Sequence, residues 1–150
     1  MQNPDPRTAG QYQTMMVLWA ALLMSQFLFV LLIFITTPKL FTFPPAGPLL
    51  GENALIVLVL GLAAVTSVAV SFFLRKQNVE RGIATQNVGL IQSGLITGCV
   101  LCEVSSLLGV VLAFAFNYEY FFLWIALGIL GMLVHFPRRG DIEAANFKKV

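Results

Sequence analysis

An all-α bundle of four membrane-spanning helices is the fold this sequence predicts, and three observations predict it. Hydrophobic residues make up 58% of the chain and charged residues only 11%, against roughly 25% charged in an ordinary soluble domain. Mean hydropathy is +0.85, more apolar surface than one small core can hide. Four stretches also reach the ~20 predominantly apolar residues that a helix needs to cross ~30 Å of hydrocarbon. Backbone groups in lipid have no water to bond, so each such stretch must satisfy its own amides, and helix is the expected form. The whole chain, residues 1–150, reads as one integral membrane domain with short tails.

The first span is expected over residues 15–37, closed by Pro38. Its apolar run exceeds the 7–15 residues of a signal peptide and no small-x-small cleavage site follows, so it reads as a retained helix. The second covers residues 54–74 and stops at Arg75 and Lys76. The third covers residues 88–116, and the fourth residues 118–136, closed by Pro137, Arg138 and Arg139. Only Asn117 separates the last two, which predicts a tight helical hairpin. Between the second and third spans, residues 75–87 form a polar loop that could extend the third helix. Residues 38–53 contain Pro44, Pro45 and Pro48, which keep the segment from being helical. With Leu40, Phe41 and Phe43 beside them, the segment reads first as a stiff connector, with a loop lying on the membrane or against a partner as the alternative.

Four spans put the N-terminus, the second loop and the C-terminus on one side. That side carries Arg7, Arg75, Lys76, Arg81, Arg138, Arg139, Lys148 and Lys149, and the other only Lys39. Basic residues stay in the cytoplasm, so both termini are expected there, most simply in a bacterial inner membrane. The net charge of +2 is thus a topology signal, and no nucleic-acid partner is expected. Tyr118, Tyr120 and Trp124 are expected near the outer interface, with Tyr12 and Trp19 near the inner one, as amphipathic rings prefer.

The third span holds the most informative residue. Glu103 is the one charge between Val88 and Phe116, and a charge at mid-membrane costs roughly 2.5–3.5 kcal/mol on insertion scales. At 100° per residue, Gln92, Ile96, Cys99 and Ser106 fall near its side of the helix. This partial polar stripe has two readings. It starts a proton or ion path, or Glu103 is a buried carboxyl hydrogen-bonded to a neighbouring helix. Gln26, with Ser25 beside it, is the available partner at mid-helix one. The opposite side collects Gly94, Gly98, Ser105 and Gly109, with Cys102 at its edge. Small residues let helices approach closely in lipid, and Gly61, Ala64, Ser67 and Ser71 form a matching stripe on helix two. The two grooves are expected to face each other.

Other candidates carry weaker chemistry. Cys99 and Cys102 are spaced C-x-x-C, but no second pair and no nearby histidine completes a metal set, so they read as packing residues and no metal site is expected. His135 is the sole histidine. It reads as an interfacial side chain, with axial ligation of a haem or chlorophyll as the less favoured alternative. Arg138 and Arg139 are candidates for anionic lipid headgroups. No P-loop, G-x-S-x-G, HExxH or dinucleotide fingerprint is present, and no enzyme activity is expected.

Gly98, Glu103, Ser105, Leu108, Gly109, Val110 and Val111 follow a known order: a glycine, an acid, small residues, then Leu-x-Gly-x-Val-type packing. In this, helix three resembles the carboxylate-bearing helix of the rotary ATPase proteolipids, the c subunits. That resemblance implies Glu103 as the ion-binding carboxylate. It covers about one helix and the polar segment before it. Helix two lacks the proteolipid's repeated glycines, and four-helix proteolipids place the acid on the last span. The function expected first is a non-enzymatic accessory or assembly subunit of a larger membrane complex, touching lipid and other subunits or copies of itself. Proton or ion translocation through Glu103, in a proteolipid-like ring or a small transporter, is the alternative.

Overall fold

The computed structural model describes residues 6–41, 47–51 and 53–146. The expectations for Phe43, Pro44, Pro45, Lys148 and Lys149 lie outside those residues. The helices are α1 (Pro6–Thr36), α2 (Ala54–Ala84), α3 (Val88–Phe116), α4 (Phe122–Val134) and α5 (Arg139–Asn146), with a 3-10 turn over Pro38–Phe41. No strand occurs among the described residues.

Three helices, α1, α2 and α3, are long and apolar enough to cross a membrane. A fourth crossing exists only if α4 and α5, bent by 43°, count as one span. Alone, the 13 residues of α4 rise only about 20 Å, short of the ~30 Å hydrocarbon core. The expected fourth span is therefore shortened at both ends. Tyr118 to Phe121 form turns rather than helix. The Tyr118 and Tyr120 side chains turn to the preceding loop, where Tyr118 Oη donates to Leu49 O at 2.9 Å and Tyr120 Oη donates to Gly47 O at 2.8 Å. The described part of that loop is thus tied to the α3–α4 turn.

α1 begins nine residues before the apolar stretch, at Pro6, where a missing N–H costs nothing because the first turn has no intrahelical acceptor for it. It buries only Thr8, Met15, Gln26 and Ile33. Those positions recur at helical spacing and keep one narrow stripe inward. Phe27, Leu28, Leu31 and Phe34 face out.

Residues 75–84 correct the sequence reading: they lengthen α2, not α3. No helix breaker interrupts Arg75 to Arg81, and Lys76 sits one turn from Glu80 at 3.9 Å, an i,i+4 pair of the kind that supports exposed helix. The chain then turns tightly. Gly82 is buried against Ile91, where a Cβ would lie 2.7 Å from the Ile91 side chain. Asn87 caps α3 by accepting from Gly89 N at 2.9 Å.

α3 is the central element, pairing most extensively with α2, then α4, then α1. It ends at Asn117 in the left-handed conformation, φ 48°. Such a conformation suits Asn or Gly and costs other residues about 1–2 kcal/mol. Asn117→Gly is accordingly expected to leave the unfolding midpoint in detergent unchanged within error, and Asn117→Val to lower stability by roughly that amount.

The C-terminal segment is not a loose tail. α5 buries Ile142 and Ala145, and Asn146 Nδ2 donates to Thr8 Oγ1 at 2.9 Å and Gln11 Oε1 at 2.8 Å. The core divides into a lower cluster built on Met15, Val68, Leu95, Met132 and Ile142 and two upper ones. Ile33, Ala113, Phe121 and Ile125 make one, and Val57, Ala64, Leu112 and Trp124 the other.

Candidate functional site: a polar layer around the central helix

Between the lower and upper clusters lies the polar layer. Glu103 is half-buried and meets α1, not lipid alone. Its Oε1 is 2.6 Å from Ser25 Oγ. Ser25 Oγ is also 2.6 Å from Leu22 O. Ser25 Oγ–H donates to the Glu103 carboxylate, and the same hydroxyl also lies within donating distance of Leu22 O, one helical turn back. The partner on helix one is therefore Ser25. The expected Gln26–Glu103 bond is not formed.

Gln26 is buried completely, and neither its amide nitrogen nor its amide oxygen has a partner among the described residues. Ser106, one turn beyond Glu103, is also fully buried with its hydroxyl unpaired. Both converge on Gly128 of α4. A Cβ there would overlap Ser106 Oγ, and would lie 2.7 Å from Cys102 O and 3.4 Å from Gln26 Oε1. An unpaired buried polar group costs about 1–3 kcal/mol, so these two side chains are the costly features of the layer.

Nearer the basic end, Cys99 and Cys102 are buried free thiols. Cys102 Sγ lies 3.5 Å from Ser71 Oγ, and Ser71 also donates to Val68 O at 2.6 Å. Gln92, three turns below Glu103, is half-buried. No group of three or more metal-ligating side chains occurs among the described residues.

His135 corrects the interfacial reading. It is wholly buried, with Nδ1 donating to Gly131 O at 2.9 Å and Phe72 against its ring at 4.7 Å. Its unpaired Nε2 is pressed onto Gly98 of α3, where a Cβ would be 2.6 Å away. A haem or chlorophyll macrocycle does not fit between that nitrogen and the α3 backbone.

The small face of α3 is buried as a whole, but it receives two helices rather than one. Gly94 meets Asn78 of α2, Gly98 meets His135, and Gly109 meets Phe121 and Trp124. Ser105 Oγ donates to Trp124 O at 2.9 Å. Gly61 of α2 faces Trp124, not α3, while Ala64 packs with Leu112 and Trp124. Sequence reasoning missed the α4 glycines, Gly128 and Gly131, although their one-turn spacing was the available signal. Trp124, expected at the outer interface, is buried, and Trp19 donates Nε1–H to Met132 O at 2.9 Å.

At the basic end, Arg75 donates to Phe136 O at 2.9 Å and Val134 O at 3.3 Å, satisfying carbonyls at the end of α4. Arg139 pairs with Glu143 at 3.3 Å. Comparison with family models, curated proteins and solved structures finds no match to this chain.

Proposed function

We propose that the chain is a non-enzymatic accessory or assembly subunit of a larger membrane complex, with Glu103 fastening α1 to α3. One observation carries this reading: the polar layer is blind. Beyond Glu103 and Ser106, α3 runs Leu-Leu-Gly-Val-Val-Leu-Ala-Phe-Ala-Phe to its end, and α1 beyond Gln26 is apolar to Ile35. The two upper clusters close the interior there. Among the described residues, the buried members of these clusters carry no side-chain hydroxyl, amide or carboxyl to relay a proton or ligate a cation, and the hydroxyl of Tyr118, packed against one of them, donates outward to Leu49 O. This reading counts α4 with α5 as a fourth crossing and puts both termini on the cytoplasmic side, most simply of a bacterial inner membrane. Arg75, Lys76, Arg81, Arg138 and Arg139 gather at one end, and Lys39 alone marks the other. The apolar outward faces of α1 and α2 are covered by lipid or by neighbouring subunits.

Translocation through Glu103, in a proteolipid-like ring or a small transporter, is the second reading. It is favoured by the unpaired polar atoms of Gln26 and Ser106 close to the acid. Full-length protein in liposomes with an internal pH dye separates the two. The expected result is no proton flux attributable to Glu103, with Glu103→Gln as stable as the parent because its amide oxygen can still accept from Ser25 Oγ–H. Native mass measurement is expected to show a stoichiometric complex with a different membrane protein. A closed homo-ring, or flux abolished by Glu103→Gln, overturns the proposal. So does fast, pH-dependent carbodiimide labelling that Glu103→Gln removes.

A further inference from the structure

The bend between α4 and α5 opens a recess of about 320 Å³ against α2, at the basic end of the bundle. Arg75, Lys76 and Arg138 line it, together with the carboxylates of Glu80 and Asp141. Its wall on the membrane side is Phe72 and Val134, whose side chains are exposed and apolar. These groups are arranged by depth. The two apolar side chains close the apolar runs of α2 and α4, and the cations follow within a turn of each.

We propose that this recess is a binding site for one anionic phospholipid, with its phosphate between Arg75, Lys76 and Arg138 and the start of its acyl chains along Phe72 and Val134. The charges support a single phosphodiester. Three cations against two carboxylates leave one positive charge, which one diester anion neutralises. Arg75 is pre-set for the task, because its guanidinium is held by Phe136 O and Val134 O and loses little further freedom on binding. Lys76 reaches Glu80 only at 3.9 Å and both are largely exposed, so the lysine exchanges that weak pair for phosphate at small cost. The sequence named Arg138 and Arg139 as headgroup contacts. The recess instead joins Arg138 to Arg75 and Lys76, and leaves Arg139 with Glu143. A basic pocket between spanning helices is the usual form of a headgroup site. This inference does not depend on the role of Glu103.

The test uses the full chain in mild detergent, examined by native mass spectrometry after equilibration with phosphatidylglycerol or phosphatidylcholine of the same acyl chains. One phosphatidylglycerol is expected to stay bound, at least tenfold over phosphatidylcholine. Lys76→Gln and Arg138→Gln should each weaken it about fivefold, as expected for one cation near the headgroup. Both leave the Arg75 contacts to α4 in place. Arg81→Gln removes the same charge from the same end but outside the recess, and should leave binding unchanged. Equal retention of the two lipids overturns the proposal, as does an equal loss with Arg81→Gln. Displacement of the lipid by millimolar inorganic phosphate, which would mark a free-phosphate site, overturns it too.

Discussion

Gly128→Ala is expected to cost close to 3 kcal/mol, the largest loss of any single methyl added to this bundle. Overpacking a close-fitting core by one carbon costs typically about 1–3 kcal/mol, depending on whether the neighbours can give. Here one neighbour is the Cys102 carbonyl at 2.7 Å, which is α3 backbone, and the other is the fully buried Ser106 hydroxyl. The carbonyl cannot give way without parting α3 from α4, and the hydroxyl can do so only by changing rotamer inside a buried site. Membrane helices gain no hydrophobic drive from association, so a separation of the backbones forfeits packing that lipid does not replace. Unfolding of the detergent-solubilised protein measures the effect. Ser106→Ala in the Gly128→Ala background should restore part of the loss, because it removes one of the two obstacles and leaves the carbonyl. Gly140→Ala is the control. No atom lies within 4 Å of a Cβ at Gly140, and alanine in a helix should stabilise by about 0.5–1 kcal/mol. Equal effects at Gly128 and Gly140 would show that α3 and α4 do not approach as closely as described.

The contrast between those glycines marks where sequence reading succeeded and where it failed. Apolar length was legible because lipid imposes it residue by residue: α3 runs from Val88 to Phe116, as expected. The small face of α3 was legible from periodicity alone. Which helix would fill it was not. Gly98 and Gly109 on the one side, and Gly128 and Gly131 on the other, become meaningful only when α4 is placed, and α4 is too short to announce itself as a full span. The α2 extension was missed because charge was taken as the end of a helix. Arg75, Lys76, Glu80 and Arg81 end the apolar segment but not the hydrogen-bonded one, since water tolerates an exposed polar helix. His135 was misread for the same reason. Its place beside Arg138 and Arg139 implied an interface, yet Pro137 and the α4–α5 bend separate the arginines from a ring that stays buried. At Glu103 the neighbouring helix was identified correctly and the residue on it was off by one. Ser25 and Gln26 differ by 100° around α1, which decides between a side chain beside α3 and one aimed at α4.

Gln26→Met is expected to stabilise the protein by about 1–2 kcal/mol, which is the sharpest discriminator between the two functional readings. The amide of Gln26 is fully buried with both polar atoms unpaired, and such atoms carry a desolvation cost of about 1–3 kcal/mol that no bond offsets. Methionine has nearly the same length, is unbranched, and fills irregular space without a polar group. Its loss in the membrane is small in any case, since an interhelical hydrogen bond there averages only about 0.6 kcal/mol. Ser25 and Glu103 make their contact without Gln26, so the α1–α3 fastening should survive, and Ser25→Ala should weaken it in both the parent and the Gln26→Met background. If Glu103 is only a fastening, removing the glutamine relieves a cost and nothing else changes. A bound cation or ordered water at Gly128 would reverse the sign, because Gln26 Oε1 would then be one of its oxygen partners beside Ser106 Oγ and Cys102 O. Loss of stability in Gln26→Met, measured by the same unfolding assay, would therefore count against the fastening role and for a site that the acid and the amide share.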